Sequence, residues 1–151
     1  EFRNCWEEWG NDPNSWSGHS GILMTWVLHA CDISNQAKPQ QFCVQWTERC
    51  MTEFFVQGDK ERKQGLPISP LCDRESTNIP LSQERFIDYI VLPTFKLLAD
   101  MFLEVRTTCV PILEANRSWW SSQVPEGPVS QKSRRASLQE LTNSNFPSPA
   151  P

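Results

Sequence analysis

Apolar residues recur on one face of two long stretches of this chain, and the recurrence predicts helices. After Pro39, the residues Phe42, Trp46, Cys50 and Phe54 follow one another at intervals of four, with Met51 and Phe55 beside them. Such spacing places them on one side of a 3.6-residue helix. Pro39 fits just inside its start and Gly58 just past its end. In the second stretch, Ser82 with an acidic residue soon after marks a helix start. Phe86, Ile87, Ile90, Val91, Leu97, Leu98, Met101 and Phe102 line this helix, and Pro93 inside it predicts a kink or a break. A short apolar helix from Ile22 to about Cys31 and a turn from Asp32 to Pro39 come before these. A last helix covers Glu104 to Trp120, with Pro111 as a second disturbance. Residues 60–80, "KERKQGLPISPLCDRESTNIP", contain Gly65 and three prolines and read as an extended loop. No stretch alternates as a strand would, so the predicted fold is all-α.

Composition divides the chain further. Residues 1–21 are rich in Trp, Asn, Ser and Gly without period and predict a poorly tied-down loop. Residues 22–120 carry the helices. Residues 121–151 shift to Ser, Pro, Gln and Asn and predict a disordered tail, because so little apolar surface cannot offset the entropy of ordering. The net charge of −4 argues against binding a nucleic acid polymer. No apolar run approaches the roughly 18 residues of a membrane span, and no signal-peptide pattern opens the sequence. The six cysteines form no CxxC pair, which argues against a structural zinc site, and several sit in apolar stretches. The expectation is a chain with free thiols in a reducing, cytoplasmic setting.

Asp32 stands between an apolar run and a polar turn, where a carboxylate is either a helix cap or a metal ligand. Five stretches bear on the choice: "HACDIS", "QWTERCMTEFFVQGDKERKQGLPISPLCDR", "IPLSQERFIDYIVLPTF", "LLADMF" and "EANRSWW". Together, over roughly Leu28 to Trp120, they resemble class I 3',5'-cyclic nucleotide phosphodiesterases, and within that family the cAMP-hydrolysing and calmodulin-regulated branches. The resemblance implies the C-terminal helical portion of the all-α phosphodiesterase catalytic domain. It favours the ligand reading of Asp32, whose family counterpart binds a tightly held zinc. It also implies a second ion, magnesium, with the pair generating the hydroxide that attacks the cyclic phosphate.

The resemblance implies roles for further residues. Gln83 matches the glutamine that hydrogen-bonds the purine edge, a task suited to an amide that donates and accepts side by side. Phe86, one turn on, matches the phenylalanine that stacks on the base. Trp46, Thr47, Cys50, Leu71 and Cys72 map to the pocket wall, where plain core packing is an equal reading. Asn35 matches an asparagine frequent in cAMP-preferring members, although a turn asparagine needs no such task. Glu53 matches an acid that orients the catalytic histidine, which acts as general acid on the leaving oxygen. The implied function is metal-dependent hydrolysis of cyclic nucleotides, cAMP favoured over cGMP, to 5'-nucleoside monophosphates.

The chain departs from the family in several places. Only His19 and His29 are present, and neither matches a metal-ligand position. One carboxylate cannot hold a catalytic zinc, which takes three protein ligands. Residues 1–21 do not resemble the family sequence expected there, so the sequence is expected to be a truncated or alternative product, inactive in isolation for want of the metal-ligand histidines. The alternative is a non-catalytic regulatory or binding isoform that pairs with the full-length enzyme. Arg85 replaces a usual glycine and is expected to disturb packing beside the pocket. Gln36 and Ala37 replace a commoner Pro-Thr pair and are expected to loosen the turn.

A separate signal is "SRRASLQ", where Arg134 and Arg135 precede Ser137 in the pattern favoured by cAMP-dependent protein kinase. Two guanidinium forks suit acidic pockets on a kinase. Ser137 is expected to be phosphorylated. Incubation with the kinase and ATP, followed by mass-spectrometric mapping, should place the phosphate on Ser137, and a Ser137→Ala variant should lose it.

Overall fold

The structure, a computed structural model, describes residues 7–8, 10, 12–16 and 18–125. Cys5, Arg134, Arg135 and Ser137 lie outside the described residues, as does nearly all of the Ser/Pro-rich segment. The described residues form helices and contain no strand. Helix α1 spans Ser20–Asp32, a 3-10 turn Ser34–Ala37 follows, and α2 spans Gln40–Lys63. Helix α3 spans Ile79–Phe86 and passes through a wide π-type segment, Ile87–Val91, into α4, Leu92–Met101. A second π-type segment, Val105–Cys109, leads into α5, Val110–Ser122. The core gathers Ala30, Cys43, Val44, Met51, Ile87, Val91, Phe95, Leu98, Leu113 and Trp120 from α1, α2, the first π-type segment, α4 and α5.

Pro93, expected to kink or break its helix, and Pro111, expected to disturb the last one, are each met by a widened turn. Pro93 and Pro111 each sit two residues beyond the end of a π-type segment, in the first turn of the helix that follows. A proline removes one backbone donor and crowds the carbonyl four residues back. Widening the turn ahead of it relieves both problems, so the helical path continues through each. The Thr94 hydroxyl donates to the Ile90 carbonyl at 2.8 Å within the same turn.

Three boundaries differ from the sequence pattern. Helix α3 begins at Ile79 rather than Ser82, because the Asn78 side chain caps it by accepting from the Leu81 N–H at 3.0 Å. Helix α5 runs to Ser122, slightly into the stretch expected to be disordered. Helix α2 does not stop at Gly58 but continues to Lys63. It ends at Gly65, with φ of +70°, where the Leu66 N–H reaches the Glu61 carbonyl at 3.0 Å and the Gly65 N–H the Arg62 carbonyl at 3.1 Å. That bond pair is the Schellman closure expected of a glycine at this position. Nearer the N-terminus, the stretch expected to be a loose loop buries Trp16, whose indole N–H donates to the Gly10 carbonyl at 3.1 Å.

Gly58 serves another purpose. A Cβ at this buried helical position would lie 2.0 Å from the Cys72 carbonyl oxygen. The loop after α2 therefore packs its backbone against the helix where no side chain intervenes. Leu71, with φ of 65°, takes the left-handed conformation just before that contact, a costly choice for a residue with a Cβ. Polar contacts hold the loop in place. Glu61 accepts from the Ser69 N–H at 2.7 Å and the Ser69 hydroxyl at 2.8 Å, Arg62 donates to Asp73 at 2.7 Å, and Arg74 forks onto Asp59.

Two outcomes are expected. Gly58→Ala should lower stability by about 1–3 kcal/mol through overpacking against the Cys72 backbone, outweighing a helix-propensity gain of about 1 kcal/mol. A raised melting temperature would show that the loop yields without cost. Acid should loosen the loop as well. Bonds from Ser69 hold the Glu61 carboxyl below its ordinary range. Arg74 does the same for Asp59, and the Glu75 N–H, Ser76 and Arg62 for Asp73. A depressed carboxyl stabilises the fold above its unfolded-state pKa and stops doing so as pH falls through its lower folded-state value. Proteolysis between Gln64 and Asn78 should therefore be slow at neutral pH and accelerate only below about pH 4.

Candidate functional site

The 3-10 turn Ser34–Ala37 inserts Gln36 between α2, α3 and α5. Gln36 is fully buried, with a relative exposure of 0%. Its side-chain Nε2 donates to Gln83 Oε1 at 2.8 Å and lies 3.3 Å from the Thr47 hydroxyl. Thr47, also buried, donates to the same Gln83 oxygen at 3.3 Å. The Cys43 thiol donates to Gln36 Oε1 at 3.0 Å. Burial pushes that thiol up to about 11, so it keeps its proton and remains a donor at neutral pH. From α5, the buried Asn116 amide donates to the carbonyls of Gln36 and Lys38, each at 2.8 Å. The expectation of a loosened turn is thus overturned. Gln36 makes the turn the best-connected polar point in the described interior, because every bond a buried polar group makes offsets the cost of removing it from water.

Among the residues expected at the site, Gln83 and Thr47 are brought into contact; Cys43 and Met51, not expected there, line the same place. Gln83 is 9% exposed, and its Nε2 finds only distant partners, Met51 Sδ at 4.0 Å and Ser82 Oγ at 3.4 Å. Phe86 lies one turn further along α3, half-buried against the core. Asn35 is half-buried in the turn, and Cys72 is buried beneath the loop next to Gly58.

Other expected members lie on the outside. Trp46 is 44% exposed, with the Arg49 guanidinium 5.1 Å above its ring, so it offers its indole to solvent and a cation rather than to a closed wall. Phe54 is 39% exposed, whereas Phe95 is buried and Phe86 half-buried. Cys50, Leu71 and Glu53 are exposed, and so is Arg85, which stays clear of the interior it was expected to disturb.

Asp32 is exposed at the C-terminal end of α1. His29, one turn earlier, is exposed and packs edge-on against Trp26 with ring centroids 5.6 Å apart. Among the described residues no group of three or more His, Cys, Asp or Glu side chains is placed to hold a metal ion. The donors present do not fit the zinc and magnesium pair, and no step of chemistry through such a pair can be derived from them.

Two residues carry an ion pair beside the site. Arg117 of α5 meets Asp88 of the first π-type segment through two bonds of 2.9 and 3.0 Å, with Glu84 at 3.7 Å. This fork fixes α5 against the turn of helix that follows Phe86. Asn116 and Arg117 both belong to "EANRSWW", but nothing in the local pattern singles them out. Their partners lie 78 to 80 and 29 positions away, respectively.

Comparison with known proteins gives the site its setting. The family model for 3'5'-cyclic nucleotide phosphodiesterases matches residues 1–112, a span that includes the N-terminal stretch as well as α1 to α4. The 3',5'-cyclic-AMP phosphodiesterase 4C of Rattus norvegicus is 46% identical over 102 residues, covering 68% of this chain and 19% of the relative. The Mus musculus 4C protein is 45% identical over the same length, covering 15% of its own chain. The probable 3',5'-cyclic-AMP phosphodiesterase pde-4 of Caenorhabditis elegans is 44% identical, again over 15% of its length. The chain therefore spans less than a fifth of these relatives. Among solved structures, LmjPDEB1 in complex with IBMX superposes with a TM-score of 0.62 at 27% identity, over 67% of this chain and 30% of that one. The family match, the similarity to these relatives and the all-helical fold agree: this chain belongs to the 3',5'-cyclic nucleotide phosphodiesterase family.

Proposed function

We propose that this chain carries the base-recognition portion of a cyclic nucleotide phosphodiesterase, and that its residues bind the nucleotide without hydrolysing it unaided. The observation that supports this reading is Gln83: a buried amide, tied through its oxygen to Thr47 on α2, with under-used donors and Phe86 one turn away. An amide beside an aromatic ring suits a purine, which offers hydrogen-bonding groups on its edge and a flat face for stacking. The relatives bear the name of cyclic-AMP phosphodiesterases, which favours cAMP as the ligand.

Hydrolysis calls for a metal set that the two histidines of this sequence do not supply. In a complete enzyme Asp32 is the carboxylate this chain would lend to a zinc site, and Glu53 the acid that would orient a histidine. With the partner ligands present, such ions would supply an activated water. What Gln83 and Phe86 supply is a place for the base, with Thr47 bonded to the Gln83 oxygen behind it.

The 151-residue chain, assayed with zinc and magnesium, should show no turnover of cAMP or cGMP near that of its relatives. Turnover abolished by Asp32→Ala would overturn this reading and reveal another ligand set. Titration with cAMP should show binding that Gln83→Ala weakens by about 1–3 kcal/mol, with the fold checked by circular dichroism.

A further inference from the structure

The hydrogen-bond polarities in the buried cluster can be followed from donor to acceptor. The Cys43 S–H points to Gln36 Oε1. That fixes the Gln36 amide with Nε2 toward Gln83, where only an oxygen can accept, so Gln83 turns its Oε1 to Gln36 and its Nε2 to Met51 and Ser82. The Thr47 hydroxyl, itself accepting from Gln36, donates to the same oxygen. Both lone pairs of Gln83 Oε1 are thus occupied from within the chain, while its two N–H groups have only the distant Met51 sulfur and Ser82 hydroxyl.

A purine edge that binds an amide through two bonds needs that oxygen. Adenine donates its amino group to it while its ring nitrogen accepts from the amide N–H, and guanine donates its ring N–H while its carbonyl accepts. We propose that Gln36 is an internal competitor for the base: its side-chain amide occupies the acceptor of Gln83, so that Gln83 faces a nucleotide as a donor alone until Gln36 swings away. This rests on the base-recognition reading above. The backbone need not move for the exchange. Asn116 holds the Gln36 and Lys38 carbonyls independently of the Gln36 side chain. Nor is the competitor loosely placed, since Gln36 has no exposed surface and three side chains within bonding distance.

The test is calorimetric titration of the full chain with cAMP and with cGMP. Gln36→Met keeps the volume and removes the donor, and should tighten binding about fivefold, the equivalent of one ordinary hydrogen bond. Thr47→Val removes the second, longer donor and should tighten binding by less, which gives an independent reading if the first variant folds poorly. Neither gain should survive in a Gln83→Met background. Unchanged or weaker binding by both variants, with the parent chain binding, would overturn the proposal and leave the base-recognition reading intact. Absence of binding in the parent and every variant, all with native near-ultraviolet circular dichroism, would overturn both.

Discussion

The bond from Gln36 to Gln83 ties the fold to its site. It joins the short turn after α1 to the middle of α3, 47 residues later, and Thr47 joins α2 to the same atom. Asn116 then fastens α5 to the Gln36 carbonyl within that turn and the Lys38 carbonyl just after it. An amide buried without partners costs about 1–3 kcal/mol, so the cluster is favourable only when all its members are in place. Helices that apolar contact alone would allow to slide are thereby held in one register.

The wide turns serve the same arrangement. Pro93 and Pro111 each remove a backbone donor, and each is preceded by a π-type segment that accommodates the loss. One of these segments carries Asp88, the partner of Arg117. A side effect of proline thus also sets the direction of a carboxylate that clamps α5. Because Arg117 follows Asn116 directly, the clamp and the amide contact to the Gln36 turn come from one turn of one helix, and a shift in either is felt by the other.

Helices, and the faces they bury, were legible because apolar periodicity is local information. Phe42, Trp46, Cys50 and Phe54 do lie on one helix, but the deeper positions are Cys43, Val44, Thr47 and Met51, one step round the cylinder. Read alone, the large aromatic residues drew attention to a face that is partly exposed. Gly58 was misread as a helix end because the carbonyl that demands it arrives from Cys72, fourteen residues away. The start of α3 was misplaced for a more local reason, since Asn78 is the stronger cap and Pro80 fits the first turn. Gln83, Thr47 and Phe86 were singled out through resemblance to a family, and the bond between Gln83 and Thr47 is seen only in the fold. Gln36 was flagged as a departure from that family and assigned the wrong consequence, because a polar residue in a turn ordinarily faces water and its partners lie 11 and 47 positions off.

The two halves of the chemistry implied by the family stand apart in this chain. The polar groups of the Gln36 cluster are buried, mutually bonded and oriented by α2, α3 and α5. The acids suited to metal and proton transfer, Asp32 and Glu53, are exposed, with no donor set gathered round them among the described residues. A hydrogen-bonding pocket can be completed by one compact set of helices, because each bond needs only one partner. A metal site needs three or more ligands converging on a point, and single carboxylates on separate helices do not supply that convergence. A hydrogen-bonded polar cluster can therefore be built into this set of helices without a metal site, and the burial of Gln36, Thr47 and Gln83 with Asp32 exposed is the form that independence takes here.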